Sequence, residues 1–413
     1  MLLKYLVDPL KNYIYLKLIS LSLALQLVSL FRNYPTNHPC GRVLEVVGQI
    51  NVLINCDSSV YMKDAQDPSR LFNGESVYQD RPLPTLIVSA LSKFWQTMNL
   101  PNFSRDIIGN SGNVTNYSFI TYFFFILMSA AVLSLTCFIG INTLNELSKR
   151  FNVSEDLFVV VATIFVLLIS MNELTKTFFW TPGSQMFNLL LPVYLFALVQ
   201  KSQSRVSNKV FITSIIFFAL LLFSYAFFIL LIIPLLFLNW KNLKHRLFWI
   251  TPIPVLYFLY PLLIELFGGK YYSFGFGDRR LYLWVIDSYF LGNLTERLRE
   301  FFLYFIGTFP LIPSLFIFIT IIYLSKNFLM DSKSIVVFRL ELFIIFIYII
   351  LLAFYGYYSR RLTYPVYLFI YLVLLRSTIT GVRSYRGSDV SIIASVIGVV
   401  SLVSWLFTLG PLV

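Results

Sequence analysis

The chain has 413 residues, 58 % hydrophobic, 18 % aromatic and only 13 % charged. A soluble domain carries roughly a quarter charged residues to cover its surface, so a string of ordinary soluble domains is excluded. The net charge of +12 does not mark a nucleic-acid binder, because the basic residues sit in short loops between apolar blocks, where they orient membrane helices and suit anionic headgroups or phosphate-bearing substrates.

Those blocks are about 20 residues long, enough to cross a hydrocarbon core of about 30 Å. They recur at 12–31, 117–140, 156–173, 181–200, 210–239, 247–267, 301–324, 335–354, 362–376 and 390–409. The first follows Lys4 and Lys11 and lacks a small-residue cleavage site, so it reads as an uncleaved span rather than a signal peptide. A hydrophilic stretch, 32–116, comes next. Within it, Val43, Leu44, Val47, Ile50 and Ile54 lie close to helical spacing, which predicts an amphipathic surface helix over 41–55. Cys40 and Cys56 flank that segment and are candidates for a disulfide in an oxidising compartment. Segment 83–99 is short for a span and contains Lys93; it fits a re-entrant or surface helix, or a crossing that would reverse the side of every later loop.

The run 210–239 is long for one crossing, and Ser224-Tyr225 interrupts it. Folded as a hairpin, it leaves Lys201, Arg205 and Lys209 on the same side as Lys241, Lys244 and Arg246, as the positive-inside bias prefers. Lys149-Arg150, Lys326, Lys333 and Arg339, and Arg376, Arg383 and Arg386 then fall in cytoplasmic loops as well. The expected fold is an all-α polytopic transmembrane helical bundle of about eleven spans, within a range of about ten to thirteen. It forms one integral-membrane domain, 1–413, with a cytoplasmic N-terminus. Residues 32–116 and the glycine- and aromatic-rich 268–300 are its two large outer loops.

Nucleotide, hydrolase and metal motifs are missing, and the two histidines, His38 and His245, lie in loops. The outer carboxylates permit a divalent cation, but no ligand spacing demands one. Carboxylates concentrate in the first outer loop at Glu45, Asp57, Asp64, Asp67, Glu75 and Asp80. Asp64 and Asp67 read as solvated acids. Asp57 starts a second amphipathic helix, which it, Ser58 or Ser59 can cap; a carboxylate held at the membrane boundary can also act as a general base on an incoming hydroxyl. Arg279-Arg280 and Arg360-Arg361 sit at outer positions. Guanidinium binds phosphate through paired, charge-assisted hydrogen bonds and stabilises it as a leaving group; headgroup contact is the alternative. No mid-span cluster of ionisable residues, the mark of an ion-coupled transporter, is evident.

Asp57, Tyr61, Ala65 and Arg81-Pro82-Leu83-Pro84 follow one another in an order that resembles the GT-C superfamily of integral-membrane glycosyltransferases. The split hairpin at Ser224-Tyr225 and Arg360-Arg361-Leu-Thr-Tyr-Pro near the outer end of a late span are also similar to that family. The resemblance implies inverting transfer of a sugar from a polyprenyl-phosphate donor to an acceptor hydroxyl on the extracytoplasmic side, in a bacterial inner or plasma membrane. Asp57 would be the base, and Tyr61, Arg81, Arg279, Arg280, Arg360 and Arg361 would bind substrate. The partners implied are the lipid-linked donor, a glycan, lipid or protein acceptor, and bilayer lipids. Two other readings stay open: a surface-polysaccharide polymerase or ligase, and a non-catalytic transporter or flippase of lipid-linked sugars.

Overall fold

The computed structural model describes residues 9–29, 42–47, 50–54, 56–76, 78–100, 104–109, 114–202, 204–270, 294–308, 332–355 and 360–381. From the N-terminus, α1 (Pro9–Ser29) precedes β1 (Arg42–Val47), β2 (Ile50–Ile54), α2 (Cys56–Gln66), α3 (Pro82–Thr97), β3 (Ser104–Gly109) and β4 (Val114–Ser118). Next come α4 (Phe119–Arg150), α5 (Glu155–Ser170), α6 (Glu173–Phe179), α7 (Phe187–Lys201), α8 (Asn208–Leu222) and α9 (Ile232–Phe237). The remaining helices are α10 (Leu243–Ile250), α11 (Pro252–Leu266), α12 (Leu294–Thr308), α13 (Ser332–Tyr355) and α14 (Arg360–Gly381).

Helix dominates, as the composition predicts. α7 is apolar on every side, with Leu190, Leu191, Val193, Leu195, Phe196 and Val199 all buried, the pattern of a helix enclosed by others; it packs on α4 and α14. α4 and α5 approach so closely that a Cβ on Gly140 would lie 2.0 Å from Phe165 Cζ. α5 starts where Ser154 Oγ accepts the Leu157 N–H, with Glu155 and Asp156 in its first turn to meet the helix dipole. Polar side chains point inward and bond to each other. Ser22 Oγ lies 2.6 Å from Ser170 Oγ, Gln26 Nε2 donates to the Ser170 carbonyl at 2.9 Å, and Asn145 Nδ2 donates to Tyr15 Oη at 2.9 Å. These bonds fasten α1 to α4 and α5.

Among the described residues two helices are long and apolar enough to cross a membrane, Phe119–Arg150 and Leu243–Leu266. The second comprises α10 and α11, which present Phe248, Phe258, Leu262 and Leu266 outward.

The 210–239 run folds back on itself. The Val206 N–H donates to the Asn239 carbonyl at 3.0 Å, Trp240 Nε1 donates to Asn208 Oδ1 at 2.7 Å, and Phe211 stacks on Trp240 at 3.8 Å. Its apex is the turn after α8, at residues 223–225.

The expected amphipathic helix over 41–55 is instead a β-hairpin. β1 pairs antiparallel with β2 from Arg42↔Ile54 to Val47↔Ile50, and also with β3 through Arg42↔Gly109, Val43↔Ile108 and Leu44↔Ile107. β3 pairs with β4, giving a sheet in the order β2-β1-β3-β4. Val43, Val46, Val47, Ile50, Val52 and Ile54 are β-branched, and such residues favour the extended chain. Cys40, the 390–409 block and most of 268–300 lie outside the described residues.

Candidate functional site

α2 places Asp57 in its first turn, one residue inside the helix rather than at the cap, where a carboxylate also meets the positive end of the dipole. Asp57 is half-buried, whereas Tyr61 and Ala65, one and two turns on along the same face, are buried. Tyr61 Oη lies 2.8 Å from Ser184 Oγ. Its ring stacks on that of Tyr78, with centroids 4.3 Å apart and planes at 9°. The Tyr78 hydroxyl donates to the Asp57 carboxylate. Burial pushes the Tyr61 hydroxyl above its ordinary value, with the Arg81 charge and the Ser184 hydrogen bond pulling the other way. Burial raises Tyr78 too, reinforced by Tyr61 and Asp57. Both phenols therefore keep their protons at neutral pH, and Tyr78 stays a donor to Asp57.

Arg81 comes to this group at the start of α3. Its guanidinium lies 5.8 Å from the centre of the Tyr78 ring and 5.1 Å from that of Tyr225, within cation–π range. Its Nε pairs with Asp80 Oδ2 at 3.2 Å. Tyr225 comes from the apex of the 210–239 hairpin, where the Leu83 N–H also donates to the Phe223 carbonyl at 3.3 Å. Tyr257 Oη of α11 donates to the Asp80 carbonyl at 3.5 Å, and Tyr260 sets its edge against Phe223. Two buried hydroxyls here have no hydrogen-bond partner among the described residues, Thr85 Oγ1 one turn beyond Arg81 and Tyr260 Oη.

The first and second hydrophilic regions meet below this group. The Lys270 N–H donates to the Phe72 carbonyl at 2.7 Å, and Gln79 Nε2 donates to the carbonyls of Leu71 at 2.7 Å and Lys270 at 2.9 Å. Gly74 has φ +80° against Lys270, a left-handed conformation that glycine adopts without strain.

Of the residues expected from sequence, Asp57, Tyr61 and Arg81 are brought together. Arg279 and Arg280 lie outside the described residues; Arg360 and Arg361 open α14, and their side chains are likewise outside them. From sequence, Asp80 and Tyr225 are named without being assigned to the site, and neither Tyr78 nor Ser184 is assigned to it. The available signals were the Tyr78-Gln-Asp-Arg81 spacing and the helix break at Ser224-Tyr225.

Two expectations are corrected. Asp64 is not solvated: it is buried, and it accepts from Arg70 Nε at 3.1 Å and from Ser76 Oγ. Burial pushes its carboxyl up, opposed by Ser76 and Arg70. It faces inward because it lies one turn after Tyr61 on α2. Asp67, by contrast, is exposed and caps the 3-10 turn Pro68–Leu71 through the Ser69 N–H at 3.2 Å. The second correction concerns Arg376, read as a cytoplasmic loop residue. It is buried inside α14, and its Nη2 donates to Glu341 Oε2 of α13 at 2.7 Å, while Gln200 Nε2 of α7 donates to Glu341 Oε1 at 2.9 Å.

No group of three or more His, Cys, Asp or Glu among the described residues is placed to hold a metal ion. Comparison with protein-family models, with curated proteins and with solved structures gives no match.

Proposed function

We propose that the chain is a multi-pass membrane glycosyltransferase of the GT-C type, with about eleven spans and an extracytoplasmic site built around Asp57. The membrane part is supported by the distribution of side chains. Large apolar residues face outward on α1 (Leu16), α4 (Leu127), α8 (Ile216), α11 (Phe258) and α13 (Phe346), while Ser22, Gln26, Thr136, Gln200 and Glu341 lie within. Water would penalise that arrangement and lipid favours it.

The observation that carries the enzymatic part is the convergence of Asp57, Tyr78, Arg81 and Tyr225. In this reading Asp57 takes the proton of an acceptor hydroxyl as that oxygen attacks the anomeric carbon. The bond from the anomeric carbon to the phosphate oxygen breaks, the phosphate leaves with the electron pair, and the configuration inverts. Tyr78 holds the carboxylate by its hydrogen bond. Arg81 neutralises the departing phosphate, and its partly exposed pair with Asp80, weak as such pairs are, yields to it. Thr85 and Tyr260 offer hydroxyls to the sugar or the phosphate. Arg279, Arg280, Arg360 and Arg361 remain candidates for further phosphate contacts.

The test is transfer of sugar from a polyprenyl-phosphate donor by wild type and by Asp57→Asn. Undiminished transfer by the variant overturns the assignment of Asp57, and loss on Arg81→Ala alone would favour a polymerase or ligase without a carboxylate base. The buried Glu341–Arg376 pair favours one other reading, a transporter of lipid-linked sugars, since ionisable groups at depth often mark a pathway. Translocation of unmodified substrate in proteoliposomes, without product, would favour that instead.

A further inference from the structure

α3 coincides with segment 83–99, for which sequence leaves surface and crossing placements open. The sheet restricts the choice. β1 precedes α2 and α3 in the chain, β3 follows them, and the two strands pair directly. Paired strands lie about 5 Å apart, whereas the two faces of a bilayer core are about 30 Å apart. Residues 48–103 must therefore start and finish on the same side, crossing an even number of times. α2, with 11 residues, and α3, with 16, reach only about 16 and 24 Å at 1.5 Å per residue. Neither is long enough to span.

α3 nevertheless has an apolar side that nothing among the described residues covers. Its surface divides into three faces. Pro84, Thr85, Val88, Ser89 and Ser92 are buried against α2 and α4. Lys93 and Thr97, one turn apart, face solvent. Ile87, Leu91, Phe94 and Met98, spaced by four, three and four residues, form an exposed apolar stripe with Phe94 at 66 % exposure. The second half of α3 leans on the first turns of α4, through Ser92 Oγ to Thr121 Oγ1 at 3.5 Å and the Trp95 and Phe124 rings at 6.1 Å. Exposed Phe123 and Leu127 of α4 continue the stripe at the level where α4, the longest apolar helix, begins.

We infer that α3 is an interfacial helix lying in the plane of the outer leaflet, its Ile87, Leu91, Phe94 and Met98 stripe docked among the acyl chains and its Lys93 and Thr97 flank among headgroups and water. A helix with an apolar and a polar flank settles about 5–10 Å into that boundary. Because Arg81 immediately precedes Pro82, the docked helix fixes its guanidinium at the height of lipid phosphates. The inference rests on the membrane part of the proposal above and not on sugar transfer.

The test uses single cysteines at positions 87, 91, 94 and 98, and at 93 and 97, in full-length protein whose Cys40, Cys56 and Cys137 are replaced by Ala. Each is labelled with a fluorophore in phosphatidylethanolamine–phosphatidylglycerol proteoliposomes. The four stripe positions should all be quenched about twofold more by a lipid carrying its quencher near the headgroup than by one carrying it at the acyl terminus, and positions 93 and 97 by aqueous iodide. A steady change of depth from 87 to 98 means a crossing helix and overturns the inference. Iodide quenching of the stripe equal to that at 93 and 97 overturns it as well, as does protection of the stripe only in a dimer, which would make its occupant a second copy of the chain. Should the cysteine replacements fail to fold, photoactivatable lipids applied to the unaltered protein give the same answer: adducts on the stripe from a headgroup-proximal diazirine support the inference, and their absence overturns it. Release of the whole protein from membranes by alkaline carbonate would instead sink the membrane part of the proposal itself.

Discussion

The molecule holds its acids and guanidiniums in two different ways. Inside the bundle Glu341 and Arg376 touch directly at 2.7 Å, and Gln200 takes the other carboxylate oxygen. At the head of α2 the contacts are more varied: Asp57 is bonded to Tyr78, and Arg81 pairs with Asp80 and lies beside two tyrosine rings. A closed, buried pair has little capacity left for a ligand, and removing either member strands a charge in a poor solvent. The outer set is partly exposed, the Arg81 and Asp80 side chains at 16 % and 27 %, and beside it Thr85 Oγ1 and Tyr260 Oη find no hydrogen-bond partner among the described residues. The inner group joins α7, α13 and α14, whereas the outer group gathers α2, α3 and the turn at 223–225 around partly exposed charged side chains.

The largest effect should fall on the inner pair. Arg376→Ala leaves Glu341 uncompensated and should cost about 3–5 kcal/mol of stability, read as the unfolding midpoint in detergent, whereas Arg81→Ala should move that midpoint little. Equal losses would erase the distinction between the two regions. Asp57→Asn should reduce sugar transfer about a hundredfold or more while leaving the unfolding midpoint nearly unchanged. Gly140→Ala drives a methyl group into Phe165 and should cost about 1–3 kcal/mol of stability without a specific loss of transfer. Tyr78→Phe removes the hydrogen bond to Asp57, worth about 1 kcal/mol, and should lower transfer several-fold while Tyr61 stays in place. The smallest effect concerns pH. Burial raises the Asp64 carboxyl above its ordinary 3.8, so the folded state binds that proton more tightly than the unfolded chain. Its contribution is fully present below 3.8 and is lost as pH rises through the higher folded value. Unfolding midpoints measured on acidification should rise more in wild type than in Asp64→Asn.

Sequence patterns reveal those features that local chemistry encodes. Lysine and arginine clusters on both flanks of 210–239 were enough to predict a hairpin, and the turn at 223–225 agrees. The order Asp57, Tyr61, Arg81 led to the centre of the candidate site. The sheet was not legible, because Val43, Val47, Ile50 and Ile54 satisfy a helical spacing while β-branching and pairing with β3 decide for strand. Tyr225 and Ser184 were not assigned to the site because stacking and hydroxyl contacts between distant segments leave no periodic trace. Arg376 was misread because a charge normally ends an apolar helix. Here a carboxylate on a neighbouring helix lets α14 continue to Gly381.

The pairing of β1 with β3 also has a consequence for biogenesis. The β1–β2 hairpin leaves the ribosome before its partner strand exists and must wait, one edge unsatisfied, until β3 has been made. Such late closure of a long loop is slow, and an open strand edge invites pairing with other chains. A nascent chain arrested ahead of Ser104 should therefore be far more prone to aggregate than one arrested just after Ser118.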